Sequence, residues 1–532
     1  MKSLVCYFTG LLHWAAFCFL FLIISSAFSF CMTQPTAIQM PRLQPLSVRA
    51  GAGAKSKVGA FGPLLFVALH APLSLALKLV PFLSTLHALI SLVIVLMLVI
   101  RRYPTGWVVA GCAYLVGSEA LWRMTDASVF WEFGKYALLL VVVMTLCLRR
   151  PRITSYLPAF YLVFLLPGAF LTMMAISGLN VLRQTLSFDL SGPVAYAACS
   201  LFLLGRNLSR EDVLLCLTAM LAPIAGVAAL TLFGIRTTEV DFRSSSNFDA
   251  SGGFGPNQVS AVLGLGMVAC FLLLAGRKGN LIWKGMLVGL IVWFAAQSAL
   301  TFSRSGFYYA VAAMLAGTAF LVTDVRRFVL VVSLGLALVG LGKFVIVPRL
   351  DAYTNGALGA RFENTNLAGR GDLMKGDLLV FLEHPVLGVG VGMAREARRE
   401  VGSETNKSHT EFTRLLSEHG LLGAAALVLM LVMSGRSVAR QTHGWPKAFS
   451  ASLVAFALVF MTGSGMRLAI PSFLLAFAGV LICWPQLRRS KAQKKTGRTM
   501  FRALPSPFSR VFPRLRVRRK ISRGPIKAET KP

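Results

Sequence analysis

The chain has 532 residues, 56% hydrophobic and only 14% charged, with 54 Lys and Arg against 21 Asp and Glu, a formal net charge of +33. A soluble protein of this length would carry about 25% charged residues, and a disordered one would be poor in apolar residues. Both are excluded over most of the length, which leaves a polytopic membrane protein with a strongly basic periphery.

Residues 4–30 are apolar after Lys2, with Ser25 and Ala27 placed as in a small-residue cleavage site. Phe30 is too bulky to precede a lipid-anchored Cys31. Residues 1–61 therefore read as a signal-like or wrongly assigned start followed by a basic linker with Arg49, Lys55 and Lys57, and Met40 is the preferred true start. A membrane-crossing helix needs about 20 mainly apolar residues. Spans are expected at 62–80, 82–100, 106–122, 134–148, 155–174, 192–205, 213–234, 259–275, 282–300, 306–323, 328–347, 421–434, 448–463 and 466–484. The runs are continuously apolar rather than alternating, which selects helices over barrel strands.

The predicted fold is an all-α polytopic membrane protein of about 12–14 transmembrane helices, with one long periplasmic loop domain before the last three. Its expected parts are a bundle over 62–347, the catalytic loop domain over 348–420, C-terminal helices over 421–484, and a basic, disordered tail over 485–532.

Lys and Arg concentrate in cytoplasmic loops. Arg101 and Arg102 follow the second span, Arg149, Arg150 and Arg152 the fourth, and Arg206 and Arg210 the sixth. Arg277 and Lys278 follow the eighth, Arg326 and Arg327 the tenth, and Arg436, Arg440 and Lys447 the twelfth. Every even-numbered gap is basic and is assigned to the cytoplasm. The tail, with 16 Lys and Arg against Glu529, falls on that side, where attraction to anionic lipid explains it without nucleic acid. The nine cysteines lie in or beside apolar spans, so no external disulfide framework or cysteine metal site is expected. His384, His409 and His419 are the only external histidines, and no recognised ligand spacing joins them, so no metal is predicted.

The informative residues are arginines placed against the orientation rule. Arg304 lies in Thr301-Phe302-Ser303-Arg304-Ser305-Gly306, between two spans. It reads either as a snorkelling helix anchor or as a phosphate ligand, since guanidinium binds phosphate oxygens in bidentate fashion. Arg361 and Arg370 flank a polar loop, and Arg183 is a weaker candidate of the same kind. Asn257, at the end of a Gly- and Pro-containing turn, could cap a helix or bond a sugar. The stretch Glu383-His384-Pro385-Val386-Leu387-Gly388-Val389-Gly390-Val391-Gly392 reads as a Pro/Gly turn folding the loop domain back on the membrane, and not as a nucleotide fingerprint. Ser408 and Glu411 have capping-box spacing, which predicts a helix from Ser408 with His409 in its first position, Phe412, Leu415 and Leu416 on its apolar face, and a stop at Gly420. The positive helix end would favour a neutral imidazole at His409, and a bound pyrophosphate would oppose it.

With these residues in view, the sequence resembles the O-antigen ligase and O-antigen polymerase superfamily of bacterial membrane glycosyltransferases. The resemblance runs from about Arg183 to the last span and is strongest over 300–425. It implies an inner-membrane enzyme that needs no cofactor and no metal. The donor is a glycan on undecaprenyl pyrophosphate, and the acceptor is a sugar hydroxyl on lipid A-core or on a growing polysaccharide. It places His409 on the acceptor, and Arg304, Arg370 and, less directly, Arg361 on the pyrophosphate. Arg183, Asn257, Arg414 and Glu418 are further substrate-binding candidates. Thr410 follows the histidine where the family more often has an Asn- or Gln-like residue, which reads as a shift in acceptor. Two rivals are a polyprenyl-linked glycan flippase, which predicts charges buried in mid-span and repeated halves, and a protein O-oligosaccharyltransferase, which differs only in acceptor.

Overall fold

The structure, a computed structural model, describes residues 61–237, 248–277, 281–322, 347–363, 370–400, 402, 410–463 and 465–483, with single positions at 329, 340 and 344. The segment before residue 61, most of the predicted 328–347 span and the basic tail lie outside the described residues.

The described chain is helical almost throughout. In order it forms α1 (Phe61–Leu79), α2 (Pro81–Ile100), α3 (Thr105–Met124), α4 (Phe133–Arg149), α5 (Leu157–Ala175) and α6 (Leu179–Leu203). Strand β1 (Asn207–Ser209) precedes α7 (Arg210–Thr237), α8 (Pro256–Gly276), α9 (Leu281–Leu300) and α10 (Ser305–Leu321). Short helices α11 (Val347–Tyr353), α12 (Ala357–Glu363), α13 (Arg370–Glu383) and α14 (Ala394–Glu400) follow. The chain returns to long apolar helices in α15 (Glu411–Ala439) and α16 (Trp445–Met461), then α17 (Ala469–Phe477) and β2 (Leu481–Cys483). Eight described helical segments are long and apolar enough to cross a membrane by length and composition, and α10 and α16 are shorter apolar helices. A helix satisfies its backbone polar groups internally, which is what an apolar solvent demands.

Burial separates central from peripheral helices. In α7, 94% of the apolar window is buried, against 22% for α1 and 28% for α2, α5 and α9. The exposed faces of the peripheral helices carry Phe82, Val93, Phe160, Phe170 and Ile282, side chains suited to lipid. Close approach inside the bundle depends on small residues. A Cβ on Gly306 of α10 would collide with the backbone of Ser260 in α8, and one on Gly264 would collide with Gly306.

The two ends of the bundle differ chemically. At one end Arg149 donates to the carbonyls of Leu98 (2.5 Å) and Tyr103 (2.7 Å). There Arg210 reaches the carbonyl of Gly276 and lies 5.7 Å from the Trp445 ring. Strands β1 and β2 pair in parallel at this end. The odd-numbered gaps meet at the other end. Lys78 pairs with Asp126 at 2.8 Å, Trp131 meets Phe254 at 6.1 Å, and Arg414 pairs with Asp189 at 3.3 Å.

Candidate functional site

The site is built around the first turns of α15. The helix begins at Glu411, not at Ser408. Its cap is Thr410, in extended conformation, whose side chain accepts the backbone N–H of Thr413 at 3.1 Å. A cap hydroxyl satisfies one of the four donors that a helix start leaves unpaired, and Thr410 is the residue placed to do so. Ser408 and His409 lie outside the described residues. Thr413 also donates to Asp377 of α13 at 2.7 Å, and Asp377 pairs with the fully buried Arg398 of α14. This chain of contacts fixes the short helices to the start of α15.

Glu411, Arg414 and Glu418 stand three and four residues apart, so they share one helix face. Arg414 Nε and Nη2 donate to Glu411 Oε2 at 3.0 and 2.5 Å, and Nη1 donates to Glu418 Oε2 at 3.1 Å. Nη1 also pairs with Asp189 Oδ1 of α6 at 3.3 Å and bonds its carbonyl. All three side chains of the α15 face are buried. A buried guanidinium at this density of carboxylates is held by charge-assisted bonds that water cannot replace. The second oxygen of Glu411 accepts the backbone N–H of Met466 at 3.2 Å, which ties the turn Gly465–Arg467 to the same cluster.

The stretch 385–392 is a strap across α5, α6 and α15. Val389 and Gly390 donate their N–H groups to the carbonyls of Ser417 and Glu418 at 3.0 Å, and Leu421 donates to Pro385 at 2.7 Å. Thr172 of α5 bonds the carbonyl of Val391 at 3.0 Å. Gly388, Gly390 and Gly392 all have positive φ, as does Gly420, where α15 is kinked. A side chain at Gly388 would meet the Glu418–His419 peptide, so glycine is required both by conformation and by contact. His419 is buried under this strap against Gly168, and neither ring nitrogen has a hydrogen-bond partner among the described residues.

Above the Arg414 cluster lies a cavity of about 540 Å³. Trp131 and Glu132 line it from the α3–α4 connection, and Gln184, Thr185, Phe188 and Asp189 from α6. Arg395 and Glu396 of α14 and the turn residues Met466 and Arg467 complete the wall. Every one of these segments belongs to an odd-numbered gap or adjoins one. Beneath the wall, Glu119 of α3 receives Arg123 Nη2 at 2.6 Å and the backbone N–H of Ala469 at 2.7 Å. Arg123 in turn lies 4.5 Å from the Trp131 ring and 5.4 Å from that of Phe254.

Phe254 leads directly into the second part of the site. Asn257, in the first turn of α8, accepts Ser303 Oγ at 2.7 Å, and Ser303 also bonds Ser305 Oγ at 2.8 Å. Ser260 joins this knot through Ser298 Oγ and the Gly306 N–H. Phe302 is buried with φ of 56°, so the turn reverses sharply and presents Arg304 as the residue before α10.

Of the residues singled out in the sequence, the structure brings Arg414 and Glu418 into direct contact, and Asn257 into the Arg304 turn. Arg183 lies in α6, within electrostatic reach of Tyr136. Arg361 falls in α12, and Arg370 opens α13. Glu411 was read only as a capping partner, and sequence reading passed over Asp189, Arg467 and the pair Glu119 and Arg123. The role of Glu411 was detectable, because Glu411, Arg414 and Glu418 follow the spacing of a charged helix face. The pair had the same signal in its spacing of four residues. Asp189 and Arg467 offered none, since their partners are distant in sequence.

Residues 298–428 match the family model for O-antigen ligase. The matched segment runs from the end of α9, through the Arg304 turn, into the second half of α15. No curated protein matches the chain.

Proposed function

On the premise that residues 298–428 form an O-antigen ligase segment within a bundle of membrane-crossing helices, which makes this a membrane glycosyltransferase of the ligase or polymerase type, we propose the following reaction. The protein transfers a glycan from undecaprenyl pyrophosphate to a sugar hydroxyl, during assembly of surface polysaccharide at the outer face of the bacterial inner membrane. The observation that carries this reading is that the matched segment contains the Arg304 turn, Arg370 and His409, while the chain folds a polar cavity against the same segment.

The chemistry follows from the residue types. The acceptor oxygen forms a bond to the anomeric carbon as the bond from that carbon to the pyrophosphate oxygen breaks. His409 takes the proton of the acceptor hydroxyl, a task for which imidazole, with a reference pKa of ~6.5, is suited near neutral pH. Arg304 and Arg370, with Arg361 in support, stabilise the charge gathered on the departing pyrophosphate. The polyprenyl tail remains in lipid, so a guanidinium at the end of a membrane helix is well placed for its head group. Arg414 and Glu418 hold the helix that follows His409.

His409→Ala is expected to abolish transfer while leaving expression and membrane insertion intact, and normal surface glycan in that variant overturns the assignment. Deletion of the gene then separates the two acceptor classes. Single-repeat chains on the cell surface indicate a lost polymerase, and long chains retained on the lipid carrier indicate a lost ligase.

A further inference from the structure

The cavity has a charge that sets it apart from the molecule around it. The chain carries +33 overall and only 21 acidic residues. Five of those line this one cavity, at Glu132, Asp189, Glu396, Glu411 and Glu418, against three arginines, a formal balance of −2. A pyrophosphate would be repelled by such a wall. A sugar would not, because carboxylates accept hydrogen bonds from vicinal hydroxyls and attract ammonium groups.

The second observation is aromatic. Trp131 is 55% exposed at the cavity wall, and Arg123, anchored by Glu119, stacks on its ring at 4.5 Å. The indole is thus held in place before any ligand arrives, and the cost of fixing it is already met. An immobilised indole beside carboxylates and the amide of Gln184 is suited to the apolar face of a sugar ring. The volume of about 540 Å³ accommodates one or two sugar rings.

We propose that this cavity is a glycan subsite separate from the pyrophosphate-binding arginines, and that it selects sugars without acidic groups, binding amino-substituted sugars best. The biological meaning of the subsite rests on the transferase reading above; its binding preference does not. Arg123 is a positioning residue here, acting through Trp131.

The test uses the full chain purified in detergent and three disaccharide probes, namely cationic diglucosamine, neutral cellobiose and anionic digalacturonate, with binding read by saturation-transfer NMR. Diglucosamine is expected to bind at least tenfold more tightly than digalacturonate, with cellobiose between them. Trp131→Ala should weaken all binding at least tenfold. Glu396→Gln should weaken diglucosamine several-fold and leave cellobiose unchanged. Arg123→Met, folded by gel filtration, should weaken binding of all three probes by a similar factor, whereas a merely structural Arg123 would leave their affinities unmoved. Binding of none of the probes, equal or tighter binding of digalacturonate, or binding indifferent to Trp131→Ala overturns the proposal. Because His409→Ala should retain full disaccharide binding, loss of transfer and loss of the subsite are read separately.

Discussion

Arg414 Nη2 meets Glu411 Oε2 at 2.5 Å, and Nε of the same guanidinium shares that oxygen at 3.0 Å. The pair joins two residues one helical turn apart, yet its consequence is long-range. The other Glu411 oxygen holds Met466, and the other Arg414 nitrogen holds Asp189. One ion pair on α15 therefore fixes the distance between α6, α15 and the turn before α17.

Arg414→Met should leave Glu411, Glu418 and Asp189 facing one another in a buried site. Removal of one partner from a buried pair costs about 3–5 kcal/mol. A marked fall in the thermal unfolding midpoint of the detergent-purified protein is expected, with Arg414→Lys intermediate because an ammonium lacks the fork that reaches several carboxylates. An unchanged midpoint in Arg414→Met would show that the cluster contributes no stability.

Thr410→Val removes the cap acceptor of α15 and should cost about 1 kcal/mol. Since Thr410 adjoins His409, loss of transfer should exceed the loss of stability, and Thr410→Ser should restore both. Ser408→Ala should leave the stability of the helix unaltered, which discriminates between the two residues as caps. A greater destabilisation from Ser408→Ala than from Thr410→Val would reverse the assignment.

Gly388→Ala should destabilise the strap, through backbone strain of about 1–3 kcal/mol and through collision with the Glu418–His419 peptide. Gly285→Ala, at a position with open space around it, serves as the control and should be neutral. Protease sensitivity between residues 385 and 410 provides the readout, increased in the first variant and unchanged in the second.

Gly306→Ala should force α8 and α10 apart at Ser260 and displace the Arg304 turn. Transfer should fall at least tenfold while the protein still inserts, because only the turn geometry and one helix crossing are disturbed. Wild-type transfer by this variant would disconnect the turn from the reaction.

Much of the architecture was legible along the chain. Apolar runs located the helices from α1 to α10 and from α15 to α17 within a few residues, apart from longer N-terminal extensions of α6 and α15, the latter continuing through a kink at Gly420 where a stop was expected, and a shorter α17. In a lipid solvent the length and continuity of an apolar run are physical requirements, so they are readable locally. The basic gaps at Arg101, Arg149, Arg206 and Arg277 likewise marked one end of the bundle, because loop charge is a property of short segments. The family resemblance, carried by Arg304, Arg370 and His409, was local in the same sense.

The candidate site was less legible, for an equally physical reason. The capping-box spacing of Ser408 and Glu411 pointed to a start two residues before the cap, Thr410, whose side chain accepts Thr413 N–H while Thr413 bonds Asp377 of the distant α13. Asp189 reaches Arg414 across 225 residues, and Glu119 reaches Ala469 across 350. No local periodicity encodes such pairs. By itself the sequence determined which segments are long and apolar enough to cross a membrane. Only the tertiary structure decided that five of the scarce carboxylates of a strongly basic chain converge on one cavity, because burying charge requires partners that folding brings together from distant segments.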